Sequence, residues 1–157
     1  MKTRLSPAHR RILRGYGLKN RTIDAWGCFS ADQQDLSNFA KGVREPGIAL
    51  PVLSPRRRKT QAFIYRPDNP RLMKSNSKVQ RPKYEHPAGA LNRVHMPRTV
   101  QDRLSGQDRR DSRTLVVTEA PIKAEKAAEE GIAIASLWSA FGTGVRSLVM
   151  SVFRSRI

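Results

Sequence analysis

Residues 113–138 read "RTLVVTEAPIKAEKAAEEGIAIASLW", and this stretch decides the fold class. Leu115, Val116 and Val117 form a short apolar run without alternation, the pattern of a strand buried on both faces of a parallel sheet. Glu119 falls at its carboxyl end. Pro121 suits a first helical turn, residues 123–130 are strong helix formers, and Gly131 ends the helix. Residues 132–135 then form a second strand. Strand, helix and strand make a βαβ unit, and open α/β sheets bind ligands beyond the carboxyl ends of their strands. Glu119 therefore stands at the edge where function gathers. Position alone leaves two roles open for it: a metal-site acid, or a residue answering the positive end of the helix dipole. Lys123, one turn on, either binds a phosphate or pairs with Glu119 at i,i+4.

Working outward, "SPAHRRILRGYG" (6–17) predicts a helix with Ser6 as N-cap and Pro7 at the first helical position, closed by Gly15 or Gly17. "KNRTIDAWGCFS" (19–30) predicts a second short helix, with Asn20 as cap and Ile23 and Trp26 facing inward. Together they form a helical hairpin. A helix-turn-helix reader of DNA has the same outline, but its second helix is longer. "DQQDLSNFAKG" (32–42) allows one helical turn. "GIALPVLS" (47–54) is a strand in which Pro51 argues for an edge or a bulge, and "TQAFIYRP" (60–67) is its return strand. Residues 67–83 hold three Pro, two Asn, two Ser and five basic residues, which predicts an irregular, mobile basic loop. Extended pieces follow around Tyr84 and residues 94–96, then a short helix, "RTVQDRLSG" (98–106). In residues 142–157 the apolar positions Val145, Leu148, Val149, Val152 and Phe153 recur at helical spacing, with Arg146, Arg154 and Arg156 elsewhere: an amphipathic basic helix.

Charge is the strongest compositional signal. Thirty Lys and Arg face 13 Asp and Glu in 157 residues, a net charge of +17. Such a surface attracts polyanions through counterion release and long-range steering, and nucleic acid, DNA or RNA, is the expected partner. Cys28 is the one cysteine, so no disulfide forms within a chain, which fits a reducing, cytoplasmic setting. A lone cysteine reads as a small buried hydrophobe. The first 17 residues lack the apolar core of a signal peptide, and no run of 18 apolar residues exists, which predicts no membrane role. His9, His86 and His95 have no spacing that suggests a metal site, and surface or loop positions are expected for them. "AFGTG" (140–144) lacks the Lys-Ser/Thr of a P-loop. Basic residues interleave with aromatics at Arg56, Arg57, Arg58, Lys59, Tyr65, Arg66, Arg71, Lys74, Lys78, Arg81, Lys83 and Tyr84, a composition that holds single strands by stacking and backbone contacts.

"LVVTEAPIKAEKAAEEGIAIASLW" (115–138) resembles the first half of a Toprim domain: an apolar strand ending in Glu-Gly, a Lys/Ala helix, and Gly-Ile before the next strand. The ordered pieces "LSPAHRRILRGYGL", "GIALPVLS", "FIYRPDNPR" and "KYEHPAGALNRVHMP" extend the likeness over residues 5–138. Together they resemble a domain-of-unknown-function family with a Toprim-like core, found in primase- and helicase-linked replication proteins of phages, plasmids and other mobile elements. The resemblance implies an α/β fold with α+β features. An N-terminal helical region (1–45) and a strand-rich basic region (46–112) precede a partial Toprim-like βαβ unit with its C-terminal helix (113–157), all within one compact domain. It implies a catalytic or metal-binding role for Glu119, with Mg2+ as the cofactor, and a replicative helicase or the remaining half of the domain as a further partner; the place of Lys123 one turn into the helix adds it to the expected nucleic-acid contacts. Two departures stand out. Ala120 replaces the usual Gly, and the chain ends before the Asp-x-Asp strand, with no acid after Gly144. One carboxylate is a poor magnesium site. The expectation is thus a C-terminally truncated module that binds nucleic acid in DNA replication or priming, its phosphoryl-transfer activity incomplete in this chain.

Overall fold

The computed structural model describes residues 4–31, 45–55, 60–75, 78–86, 93–105 and 115–138. Over these the chain is mixed α+β, with four helices, two three-stranded sheets and a two-stranded ribbon. It divides into two compact units. One contains Met1–Gly15, Lys19–Pro51 and Ala62–Ala90; the other contains Tyr16–Leu18, Val52–Gln61 and Leu91–Ile157. The stretches 32–42 and 142–157, expected to be helical, lie outside the described residues.

In the first unit, helix α1 (Pro7–Gly15) begins where the sequence places it. Ser6 Oγ accepts the His9 N–H at 3.2 Å, the expected N-cap bond. Helix α2 (Asn20–Trp26) starts one residue earlier than expected: Lys19 is the N-cap and Asn20 is already helical. Gly27, at φ 82°, closes α2 in the left-handed conformation that only glycine adopts without strain. Ile23 and Trp26 are buried, as their spacing predicts, and so is Cys28.

Strand β1 (Phe29–Ala31) pairs antiparallel with β2 (Gly47–Leu53), Phe29 opposite Ala49, and β3 (Thr60–Pro67) completes the order β1-β2-β3. Pro51 therefore lies in a central strand, not at an edge. The β1 pairing reaches only as far as Ala49, two residues short of Pro51, and the Pro51 carbonyl accepts the Trp26 indole N–H at 2.8 Å. Gly47 is required by close approach, since a Cβ at this position would lie 2.2 Å from the Arg66 carbonyl oxygen and 2.8 Å from Pro67 Cα. Phe29 and Phe63 meet edge to face at 5.4 Å beside the Ala31, Ala49 and Tyr65 cluster.

The expected irregular loop contains a ribbon: β4 (Met73–Ser75) pairs antiparallel with β5 (Lys78–Gln80), Ser75 opposite Lys78.

In the second unit, β7 (Val116–Thr118), α4 (Pro121–Glu129) and β8 (Ile134–Trp138) form the expected strand–helix–strand, with β7 and β8 parallel, Val116 opposite Ile134. Strand β6 (Arg93–His95) joins antiparallel on the other side, giving β6-β8-β7. Helix α3 (Arg98–Ser105) packs on α4, and the Arg103 guanidinium donates to the Gly131 and Ala128 carbonyls, satisfying the C-terminal end of α4. Val94, Met96, Val100, Ala124, Ala128, Ile134 and Ala135 form the core. Among the described residues, the run read as a doubly buried strand is an edge strand instead: Val116 and Val117 are each 43% exposed. An apolar run reports that a strand packs somewhere, but only sheet order says how much of it is covered. No helix among the described residues is long and apolar enough to cross a membrane.

Candidate functional site

The strand tip is built as the sequence suggests up to Glu119. β7 ends at Thr118, and Ala120 takes the N-cap position of α4 with φ −123° and ψ 131°. That is ordinary extended backbone, so alanine serves where the resemblance leads one to expect glycine. The Glu119 side chain is 71% exposed, and Lys123 Nζ donates to its Oε1 at 2.7 Å. The hydrogen bond and charge of Lys123 hold the Glu119 carboxyl below the usual carboxylate range. Among the described residues no group of three His, Cys, Asp or Glu side chains is arranged to hold a metal. A single carboxylate already bearing an ammonium does not fit Mg2+, which needs several oxygen ligands.

Of the basic positions, Arg56, Arg57, Arg58 and Lys59 lie outside the described residues. Lys74 and Lys78 sit on the β4–β5 ribbon, and Arg81 and Lys83 follow it with exposed side chains. Arg66 is half-buried on β3. Arg71 is exposed, but its Nη2 lies 3.0 Å from the buried Glu85 carboxylate, so its charge compensates an internal acid. Glu85 is fixed by a two-way backbone bridge to Tyr65. Tyr65 itself corrects the expected stacking role. It is 1% exposed, inside the β1–β2–β3 core, and offers no ring face to a base. Burial, then the nearby charges of Asp68, Glu85 and Glu45, pushes its phenol well above the ordinary tyrosine value. The first unit thus carries Arg66, Arg71, Lys74, Lys78, Arg81 and Lys83, whereas Lys123 belongs to the second and is engaged by Glu119.

Two histidine sites were not foreseen. His95, expected at the surface, is 0% exposed on β6. The Leu53 N–H donates to its Nδ1 at 3.2 Å, which makes Nδ1 the acceptor and leaves the ring proton of the neutral tautomer on Nε2. Nε2 lies 3.1 Å from Oε1 of the buried Glu125, within ion-pair distance but off the alignment of a hydrogen bond. Ser136 on β8 is directly opposite His95 on one side and Thr118 on the other, so His95, Ser136 and Thr118 form one in-register row across the sheet. The available signal was helical spacing. Glu125 lies three residues from both Ile122 and Ala128, on the buried stripe of α4.

His9 is also buried. Ser6 N–H donates to Ser30 Oγ at 2.8 Å, and Ser30 Oγ lies 2.6 Å from His9 Nδ1. His9 Nε2 reaches both oxygens of Asp68 at 2.9 and 3.1 Å. A Ser30 hydroxyl donating to Nδ1 and an Nε2–H donating to Asp68 satisfy every polar atom in the chain of contacts. Ser, His and Asp meet here as a fastening. The serine hydroxyl works in both directions, accepting the Ser6 N–H and donating to His9, so it ties the start of α1 to β1. His9 and Asp68 are 59 residues apart, beyond any local pattern. His86, in contrast, is exposed.

Comparison with family models, with curated proteins and with solved structures finds no match to this chain.

Proposed function

We propose that this chain is a nucleic-acid-binding module of a DNA replication or priming system, of the kind carried by phages, plasmids and other mobile elements. The observation that carries the reading is the net charge of +17 on 157 residues. A polyphosphate is the ligand class such a surface binds best, because each neutralised phosphate releases a counterion. The replication context rests on the ordered likeness to Toprim-like proteins, in which a replicative helicase is the natural partner. Arg66, Lys74, Lys78, Arg81 and Lys83, with Arg56, Arg57, Arg58 and Lys59, are the proposed contacts, and binding follows the backbone without base preference. Glu119 is engaged by Lys123, and among the described residues no group of three His, Cys, Asp or Glu could hold a metal, which supports binding over phosphoryl transfer.

Fluorescence anisotropy with labelled single-stranded DNA, duplex DNA and RNA tests this. The expected result is affinity that falls steeply as salt rises. Affinity weaker than micromolar at low salt, with no salt dependence, would overturn the reading.

A further inference from the structure

The N-terminal hairpin carries a second concentration of charge that the basic-loop reading does not use. Residues 4–31 hold six Lys and Arg and one acid, Asp24. Asp24 is bound by Arg10, whose Nη2 lies 2.5 Å from Oδ1, and the carboxylate keeps the guanidinium firmly protonated. At 100° per residue, Leu13 and His9 mark the buried side of α1. Arg11 then points directly away from it, and Arg14 lies about 60° from Arg11 on the same outer side. On α2, Ile23 and Trp26 are buried, and Arg21 points to the opposite side. The Arg10–Asp24 pair joins the two helices, and Arg11 and Arg14 on α1 and Arg21 on α2 each face away from the buried side of their own helix. All three are exposed, and none takes part in an ion pair among the described residues.

The hairpin is also a rigid mount. Ser6 and His9 bind Ser30, His9 binds Asp68, and the Trp26 indole N–H binds the Pro51 carbonyl. Both helices are therefore fastened to the sheet side of the first unit, and their arginines are presented at set positions. A charged surface whose backbone is already ordered loses less entropy on binding than a flexible one.

We propose that the outer face of the α1–α2 hairpin, through Arg11, Arg14 and Arg21, contacts the phosphate backbone of nucleic acid; this rests on the nucleic-acid reading above and places its anchor in the hairpin. Helix α2, with seven residues, is about 10 Å long and turns a single arginine outward, so it touches phosphates and does not read a groove.

The test compares full-length wild type with Arg11→Ala/Arg14→Ala/Arg21→Ala and with Arg11→Lys/Arg14→Lys/Arg21→Lys. Each is titrated into a labelled duplex by anisotropy across a salt series, with thermal unfolding as the control for folding. The alanine variant is expected to melt like wild type, to bind at least about tenfold more weakly at low salt, and to lower the slope of log affinity against log salt by about two to three, since each lost phosphate contact removes about 0.9. The lysine variant keeps the slope, because a point charge releases a counterion as arginine does. If wild type binds with a steep slope and the folded alanine variant matches it, the hairpin inference fails and the nucleic-acid reading stands. If wild type binds no oligonucleotide, the nucleic-acid reading fails first. If the alanine variant keeps oligonucleotide binding but loses binding to phosphatidylserine vesicles, the face belongs to an anionic membrane and the inference is overturned.

Discussion

His9 and His95 each stand beside a carboxylate, in surroundings that set opposite energetics. His9 is buried, but its partner Asp68 is 45% exposed, and both ring nitrogens have aligned contacts. Water can solvate Asp68 if the contact is lost. His95 and Glu125 are both sealed, and their facing atoms are in contact without alignment. A carboxylate in that position has no route to water. The difference is one of replacement: an interaction is costly to break in proportion to what is left behind, not to its own strength.

The largest expected effect comes from breaking the sealed pair. His95→Ala opens a cavity at a fully buried position and strips both the Leu53 N–H and the buried Glu125 of their neighbour, so it should cost about 3–5 kcal/mol in urea unfolding. Glu125→Leu removes the charge and leaves only a neutral imidazole, so about 1–3 kcal/mol is expected. Equal losses in the two variants would refute the asymmetry. Gly47→Ala should follow, at about 1–3 kcal/mol, because its Cβ meets backbone that cannot swing aside. His9→Ala should cost about 1 kcal/mol, since Asp68 turns to solvent and Ser30 retains the Ser6 N–H. A loss as large as that of His95→Ala would show the two sites to be energetically alike.

Tyr65→Phe is expected to be neutral or slightly stabilising. Its hydroxyl is buried with no hydrogen-bond partner among the described residues. The same variant tests an alkaline effect. The folded phenol titrates above the unfolded one, so Tyr65 contributes stability that is complete below about pH 10 and declines as pH rises further. Phenylalanine should flatten that decline in unfolding measured from pH 9 to 11.

The smallest effect belongs to the strand tip. Lys123→Ala should let the Glu119 carboxyl return upward to the ordinary range in an NMR titration. The depressed folded value means any stabilisation from this pair is present above the unfolded pKa and fades as pH falls through the folded one. Both side chains are exposed, so melting should scarcely change. An unmoved Glu119 would mean that Lys123 is not what holds it down.

Much of the local structure was legible. Ser6–Pro7 predicted the start of α1, the apolar–Glu–Pro–Lys/Ala order predicted β7, α4 and β8, and the parallel pairing followed. Less of the site was legible. The Lys123–Glu119 pair followed from i,i+4 spacing, but Tyr65 read as a stacking platform because aromatic–basic alternation does not say which way a ring points. The β4–β5 ribbon was hidden because each of its strands is only three residues long, too short for a periodic pattern to show.

By itself the sequence determined the charge, the helix and strand segments and most of their boundaries, because capping, proline and 3.6-residue periodicity act within a few residues. The tertiary structure alone decided that Pro51 could lie in a central strand, that β7 is an exposed edge, and that His9 meets Asp68 and His95 meets Glu125. Those outcomes depend on register and sheet order between residues up to 59 apart, and no local pattern encodes which distant side chain fills the opposite half of a contact.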